Sequence, residues 1–471
     1  MADDGGNRDG ATAAVRDPSL CCAHLHGEIK GAGDSREDLD SISSLPDVIL
    51  QQILSCIETE EAIRTSVLSR RWRHVWPGTP SISFVWPTNR ILDADSIDKT
   101  LARYTSRKMM SFHIDVDMMS SLTHVSRWIE LAMSRKAENL TLELSCHPCE
   151  ANYIIPDFFY TNSYVKQLSL HLYFTDLIPR CSVSWSSLKQ LFLSACNLSD
   201  ESIANILSGC PILESLTLEV CKELLVLDLS KSPRLTVLEI NCYTWLTDSM
   251  QIVGPHIHNL RLENSQSGCT LLDVSSLTEA SLDIRFDSYN ELFKADFLQA
   301  FALEQLDKLQ NVEKLTLGEN FLKVLSLTHY RLEHLSPLPM FKAKVLTLET
   351  TISPYVIPGI IVVLENSPEL KKLTLIHKRL DGFIPEEVFD NYLGLRALNL
   401  FQGMTVGNYS ENRVLKSKEV ALFIEFMLNH TQTLGKLVLR LEGCLQGRGF
   451  DELVQIVPTL SRANNVSIVI S

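Results

Sequence analysis

The suggestive metal or redox spacing in this 471-residue sequence is Cys146-His147-Pro148-Cys149. Two thiolates separated by two residues can supply half of a tetrahedral zinc site, or the attacking and resolving sulfurs of a thioredoxin-type pair. A zinc site of this kind needs a second such pair, and no further C-x-x-C follows. The redox reading needs the pair before a helix in a β-α-β unit, whereas here it trails a short apolar strand. His113, His124 and His171 are scattered, and a satisfied structural histidine is the expectation for each. No P-loop, G-x-S-x-G, H-E-x-x-H or dinucleotide glycine fingerprint is present. Catalysis needs convergent groups, so the chain reads as non-catalytic, with no metal and no cofactor.

Arg70, Arg71, Arg73 and His74, interleaved with Trp72 and Trp76, could form a localisation signal or grip nucleic acid. The charge balance opposes the second use: 43 Lys and Arg stand against 57 Asp and Glu, a net charge of -14. Phosphate binding needs a basic footprint, as does an anionic membrane surface. The longest apolar run, 355–364, is too short to span a bilayer and holds Pro358 and Gly359. The acidic, glycine-bearing start lacks the basic and apolar stretches of a signal peptide. The expectation is therefore an intracellular protein of the nucleus or cytoplasm. In a reducing compartment its 12 cysteines read as small buried hydrophobes.

The elements that carry these residues fall into four stretches. Residues 1–37 are glycine-rich, acidic and poor in large apolar side chains, and read as a disordered tail. Residues 38–78 read as three short helices. Pro46 suits a first helical turn. Ile49, Leu50, Ile53, Leu54 and Ile57 fall within an arc of about 140° on a helical wheel. Thr59 is placed to cap a second helix, with Glu60 and Glu61 in its first turn. A third surrounds Val67, Leu68, Trp72 and Val75, and stops at Pro77-Gly78. So small a unit cannot cover that much apolar surface, which must pack on the rest of the chain or on another protein. Leu45-Pro46, the Ile/Leu helix, the run AIRTSVLS and Arg71-Trp72-Arg73 resemble an F-box of the plant type. That resemblance implies docking of a Skp-type adaptor, and through it a cullin–RING ubiquitin ligase.

From residue 79 onward a strand of the form L-x-x-L-x-L recurs. The clearest copies are LKQLFL, LESLTL, LTVLEI, LKKLTL, LRALNL and LGKLVL. Their middle apolar positions run Phe112, Leu140, Leu168, Leu191, Leu216, Leu238, Leu260, Ala280, Leu315, Leu346, Leu373, Leu398, Leu437 and Val466. The spacing is near that of leucine-rich repeats, in which each coil adds one strand to a parallel sheet. Helical returns are expected at 125–133 and 199–208, and an extended convex segment at 224–229. The two longest intervals, before Leu315 and before Leu437, are read as loop insertions. Residues 79–410 form the solenoid on this reading. Residues 411–471 resemble, more loosely, the FBD region that ends plant F-box/leucine-rich-repeat proteins, and would cap it. The fold class is α/β: an N-terminal three-helix F-box, then a leucine-rich-repeat solenoid with a parallel sheet on its concave face.

The function this implies is substrate recognition within a Skp–cullin–F-box ubiquitin ligase. Leu45, Pro46, Ile49, Leu50, Ile53 and Leu54 are the expected adaptor contacts, with Trp72 supporting them. Sequence does not separate the partner-facing members of this set from core members. Leucines of the repeat strands face inward, so the residues between and after them face the concave surface. Glu219, Glu239, Glu263 and Asp283 would there form an acidic patch for a basic segment of an unidentified protein target, while Lys314, Lys372, Lys436 and Arg440 mark the C-terminal end. Two other readings share the fold: a leucine-rich-repeat scaffold outside any ligase, and a small-molecule co-receptor.

Overall fold

The computed structural model describes residues 42, 44–85, 94–145, 153–241, 250–264, 269–284, 295–329, 339–377, 416–441 and 448–471. The tail 1–37, the Cys146–Cys149 pair and the repeat copy around Leu398 lie outside them.

The first helices are α1 (Asp47–Leu54), α2 (Thr59–Arg64) and α3 (Trp72–Val75). Val67 and Leu68, expected in one helix with Trp72, instead end and follow a separate 3₁₀ turn, 65–67. A second 3₁₀ turn, 76–78, leads to β1 (Ser81–Phe84). There follow α4 (Ala94–Arg103), β2 (Ser111–Asp117), α5 (Met118–Ser134), β3 (Asn139–Ser145), α6 (Asp157–Tyr160) and β4 (Gln167–Asp176). Next come β5 (Gln190–Asn197), α7 (Asp200–Ser208), β6 (Ser215–Glu219), β7 (Val226–Asp228), β8 (Val237–Asn241), β9 (Met250–Val253), β10 (Asn259–Asn264) and β11 (Cys269–Asp273). The last third holds β12 (Glu279–Ile284), α8 (Ala295–Lys308), β13 (Lys314–Gly318), α9 (Glu319–His329), β14 (Val345–Glu349), α10 (Ile357–Glu365) and β15 (Lys372–Ile376). The chain closes with α11 (Ser417–Asn429), β16 (Lys436–Arg440), α12 (Arg448–Asn464) and β17 (Ser467–Ile470).

Among the described residues, 14 strands form one sheet in the order β1-β2-β3-β4-β5-β6-β8-β10-β12-β13-β14-β15-β16-β17. Every described pairing within it is parallel, and the leucine rows set the register. Leu238 pairs with Leu216 and Leu260, Leu260 with Ala280, and Ala280 with Leu315. A one-residue slip would turn a whole leucine row to solvent, so the period-2 pattern pins each strand. The final row marker needs a correction. Ile468, not Val466, pairs with Leu437. Val466, Ile468 and Ile470 alternate at the same period, so the pattern alone could not choose among them.

Helices form most of the convex side. Ser199 caps α7, its hydroxyl accepting the Ser202 N–H at 3.2 Å. The middle coils return through strands instead, which pair as a second parallel sheet, β11-β9-β7. Side chains from flanking helices close its edges. Asp200 Oδ1 accepts the N–H groups of Leu225 and Val226 at 2.8 and 3.0 Å, and Gln305 Nε2 donates to the Cys269 carbonyl at 2.9 Å. The two long intervals expected as loops carry helices, α8 before Leu315 and α11 before Leu437. Their apolar stripes, with Leu298, Ala302 and Leu306 on α8 and Val420, Phe423, Ile424 and Met427 on α11, continue the core. No helix of the described residues is long and apolar enough to cross a membrane.

Candidate interaction surfaces

Helix α1 sorts the expected adaptor contacts into two groups. Leu50 and Leu54 are buried, at 0% and 3% exposure, and form core with Trp72. Ile49 and Ile53 are 44% and 48% exposed. Four residues apart, they share one helix face, adjacent to the buried one. Pro46 directly precedes the helix and is exposed, and Leu45 is half-buried, its N–H donating to the Ile42 carbonyl at 3.1 Å. Five more exposed apolar side chains were not among the expected contacts: Ile42 at 57%, Val48 at 67%, Ile57 at 44%, Val67 at 86% and Leu68 at 64%. The short unit thus carries far more bare apolar surface than a soluble monomer needs. The signal for Val67 and Leu68 was in the sequence, as two large apolar residues beside Ser66 and Ser69, but a helix through Trp72 masked it.

Thr59 does not cap α2. The N-cap position is Glu58, which makes no side-chain cap, and Thr59 is the first helical residue. The Thr59 hydroxyl, 4% exposed, accepts the Ser83 N–H of β1 at 2.9 Å. β1 is the outermost strand of the long sheet, so its outer amides need a partner from beyond the sheet. That demand claims the hydroxyl before the helix can use it. The connection is tight elsewhere too. A Cβ at Gly78 would meet Gln51 Nε2 at 2.3 Å, the Pro77 carbonyl accepts the Thr105 N–H at 2.8 Å, and Tyr104 Oη donates to the Thr79 carbonyl at 2.8 Å. Arginines flank this core: Arg70 and Arg73 are exposed beside buried Trp72.

On the long sheet, the residue after the second inward leucine forms a row across neighbouring coils. Glu219 pairs with Asn241, Asn241 with Glu263, and Glu263 with Asp283. The four acids expected to share a patch are therefore brought to adjacent strands, with Glu239 in the neighbouring row between Thr217 and Arg261. Asp283 differs from the others. Its carboxylate lies over Gly318, where a Cβ would come within 2.0 Å of Cγ, and accepts the N–H groups of Ile284 at 2.8 Å and Phe321 at 3.3 Å. It thus serves the first turn of α9. Burial pushes its carboxyl up to about 7 against these two donors, and the charges of Glu263 and Glu319 add to the push. Near neutral pH it carries only part of a charge. Lys314, Lys372 and Lys436 share the row before the first leucine, and Lys314 is paired with Glu279 at 3.2 Å. Arg440 continues the acidic row at its far end.

The polar residues singled out for chemistry have structural partners. His113 Nε2 lies 3.0 Å from Glu143 Oε1, His124 Nδ1 lies 3.0 Å from Asp98 Oδ2, and the His171 ring packs on Tyr173 at 4.6 Å. Cys196, Cys210 and Cys269 are buried, and burial pushes the Cys210 thiol up to about 12, far from a reactive thiolate. Among the described residues no group of three or more His, Cys, Asp or Glu side chains is placed to hold a metal ion.

The F-box family profile matches residues 42–80, and the leucine-rich-repeat profile described for the FBD-associated F-box protein At5g56370 matches residues 125–230. The F-box/LRR-repeat protein At3g18150 of Arabidopsis thaliana is 49% identical over 468 residues, 98% of this chain and 97% of its own. The F-box/LRR-repeat protein At3g03360 of the same plant is 50% identical over 451 residues, covering 93% of this chain and 92% of its own. The F-box/LRR-repeat protein At5g02910, also from Arabidopsis thaliana, is 46% identical over 449 residues, 93% of this chain and 96% of its own. With an F-box at its start, repeat strands throughout and such identity along nearly its whole length, the chain belongs to the F-box/leucine-rich-repeat family.

Proposed function

We propose that this chain is the substrate-recognition subunit of a Skp–cullin–F-box ubiquitin ligase, working inside the cell in the nucleus or cytoplasm. An F-box implies a Skp-type adaptor in general. The observation that carries the reading here is the division of α1: Leu50 and Leu54 complete the core, while Ile49 and Ile53 remain half-exposed beside Val48. Bare apolar side chains on a short helix gain by being covered, at about 25 cal/mol per Å² removed from water. The Thr59–Ser83 bond and the Pro77–Thr105 bond tie this unit to the first coil. A target held on the sheet would then keep a fixed orientation toward the adaptor and the conjugating enzyme beyond it. The chain contributes geometry, and the transfer chemistry belongs to its partners. On this reading Glu219, Glu239 and Glu263 face a basic segment of the target, and Asp283 supports α9 beneath them.

The test is co-purification with a recombinant Skp-type adaptor, followed by reconstitution with cullin and RING subunits. Stable adaptor binding by the full chain, lost on Ile49→Asp with Ile53→Asp, is the expected result. A folded chain that ignores the adaptor would leave a repeat scaffold outside any ligase.

A further inference from the structure

The strands of the long sheet stay in step except at one described place. Between β4 and β5 the register jumps: His171 pairs with Ser194, and the next pair is Thr175 with Cys196. Leu172, Tyr173 and Phe174 therefore stand against Ala195 alone. From β5 to β6 the step is regular, since Ser194 pairs with Glu219 and Asn197 bridges to Lys222. Ala195 and Val220 hold equivalent positions and both have positive φ, at 50° and 53°. One left-handed residue is thus the ordinary way these coils turn out of the sheet. β4 replaces it with two, Tyr173 at φ 45° and Phe174 at φ 66°. Left-handed backbone at a bulky residue is strained. The bulge is not required for the solenoid to stack, because β5 and β6 stack without it.

What the bulge achieves is display. Leu172 stays in the core, while Tyr173 and Phe174 are each 39% exposed. The Tyr173 ring lies 4.6 Å from that of His171, which belongs to the concave row containing Ser194 and Glu219. Phe192, half-buried, occupies the adjacent concave row between Ser169 and Thr217. Lys222 Nζ sits 3.7 Å from the centre of the Phe174 ring. That ammonium excludes a second cation from the aromatic site. Beyond it, the row offers Glu219 on β6 and Glu263 on β10, with Glu239 alongside on β8.

We propose that Tyr173 and Phe174 form an anchor site at the rim of the concave sheet, taking one large aliphatic or aromatic side chain of an extended target segment whose basic residues meet Glu219 and Glu263. The spacing follows from sheet geometry. Glu219 lies two strand steps from β4 and Glu263 four, or about 10 and 19 Å. An extended chain advances about 3.3 Å per residue, so the basic residues fall about three and six positions from the anchor. The proposal rests on the reading of the concave face as the target-binding surface, and narrows the target to a segment of that spacing.

The test uses the full chain and fluorescein-labelled Gly/Ser peptides in an anisotropy titration. The main probe carries one leucine with arginines three and six positions away, made in both chain directions. Controls replace leucine by serine, replace both arginines by glutamate, or move the arginines next to the leucine. Two variants are compared: deletion of Tyr173 and Phe174, which brings β4 into step with β5, and the double substitution Tyr173→Ser with Phe174→Ser. One direction of the main probe should bind, and each control and each variant should weaken it about tenfold or more. Melting temperature and adaptor binding should not fall in the variants. Equal binding of the arginine-only peptide, or an undiminished affinity of both variants for the main probe, overturns the anchor. If Glu219→Lys with Glu263→Lys still weakens the probe in that case, the acidic face survives and only the anchor is lost. A probe that binds none of these proteins removes the anchor and the acidic face together, and adaptor capture reports separately on the F-box.

Discussion

The Thr59 hydroxyl accepts the Ser83 amide at 2.9 Å, and so a helix of the F-box satisfies an amide on the outermost described strand of the long sheet. A buried donor without a partner costs about 1–3 kcal/mol, more than a typical hydrogen bond contributes net. Thr59→Val keeps the shape and removes the acceptor. It should lower stability by about that amount, with faster hydrogen exchange at the Ser83 amide as its local signature. Thr59→Ser should restore most of the loss. An unchanged exchange rate in Thr59→Val would mean that the edge is satisfied by water.

Helix α1 gives two opposite outcomes from neighbouring pairs. Ile49→Asp with Ile53→Asp places charges on an exposed face, so the melting temperature should change little while adaptor binding is lost. Leu50→Ala with Leu54→Ala empties the core behind it, at about 2–5 kcal/mol for each truncation. That pair should unfold the F-box, and lose the adaptor as a consequence. Circular dichroism melts beside adaptor pull-downs separate the two. If the isoleucine pair binds normally, the adaptor uses another face.

How far the sequence could foresee this depends on the range of the interaction that decides each residue. The leucine rows from Phe112 to Leu373 were legible because an alternating strand carries its own inside and outside. Ile49 and Leu50 were not separable, because both are large, apolar and on adjacent sides of one helix. Which side is inner is decided by packing in the folded unit, which buries Leu50 and leaves Ile49 half-exposed. Asp283 was legible as a concave residue, but its burial depends on Gly318 on the next strand, the one residue there that leaves room for a carboxylate. The Tyr173–Phe174 bulge carries no glycine to announce it, only two more residues between Leu170 and Thr175 than its neighbour has. Thr59 had a good local use as a cap and a better distant one.

The pH dependence of stability should show a distinct share from Asp283. Its carboxyl is raised to about 7 in the folded chain from an ordinary value of 3.8. An acid whose folded value is raised favours the folded state most below the lower value, and loses that contribution as pH climbs through the higher one. Asp283→Asn keeps an oxygen to accept the Ile284 and Phe321 amides and cannot ionise. The variant should match the parent near pH 4 and exceed it at pH 8, by at most about 4 kcal/mol if the full shift is realised. Urea melts at both values test this. Equal stability at pH 8 would place the carboxylate in better contact with water than its position over Gly318 implies.

The acidic row also has a charge prediction, and the role of Asp283 decides how to make it. A lysine at 283 would set a cation against the first turn of α9, where the helix dipole and the Phe321 amide favour an anion, so its effects on folding and on target capture would be confounded. Glu219→Lys, Glu239→Lys and Glu263→Lys avoid that position. Glu239 faces Arg261 across one strand step, so its reversal adds a like-charge pair of modest cost. The triple variant should fold and bind the adaptor as the parent does, while a basic target segment loses its electrostatic steering. Because such steering acts mainly on the association rate, the loss should appear in the on-rate and be largest at low salt. Surface plasmon resonance against an identified target at two ionic strengths checks both. A target whose on-rate is unchanged by the triple variant, and whose affinity does not respond to salt, docks away from these three carboxylates.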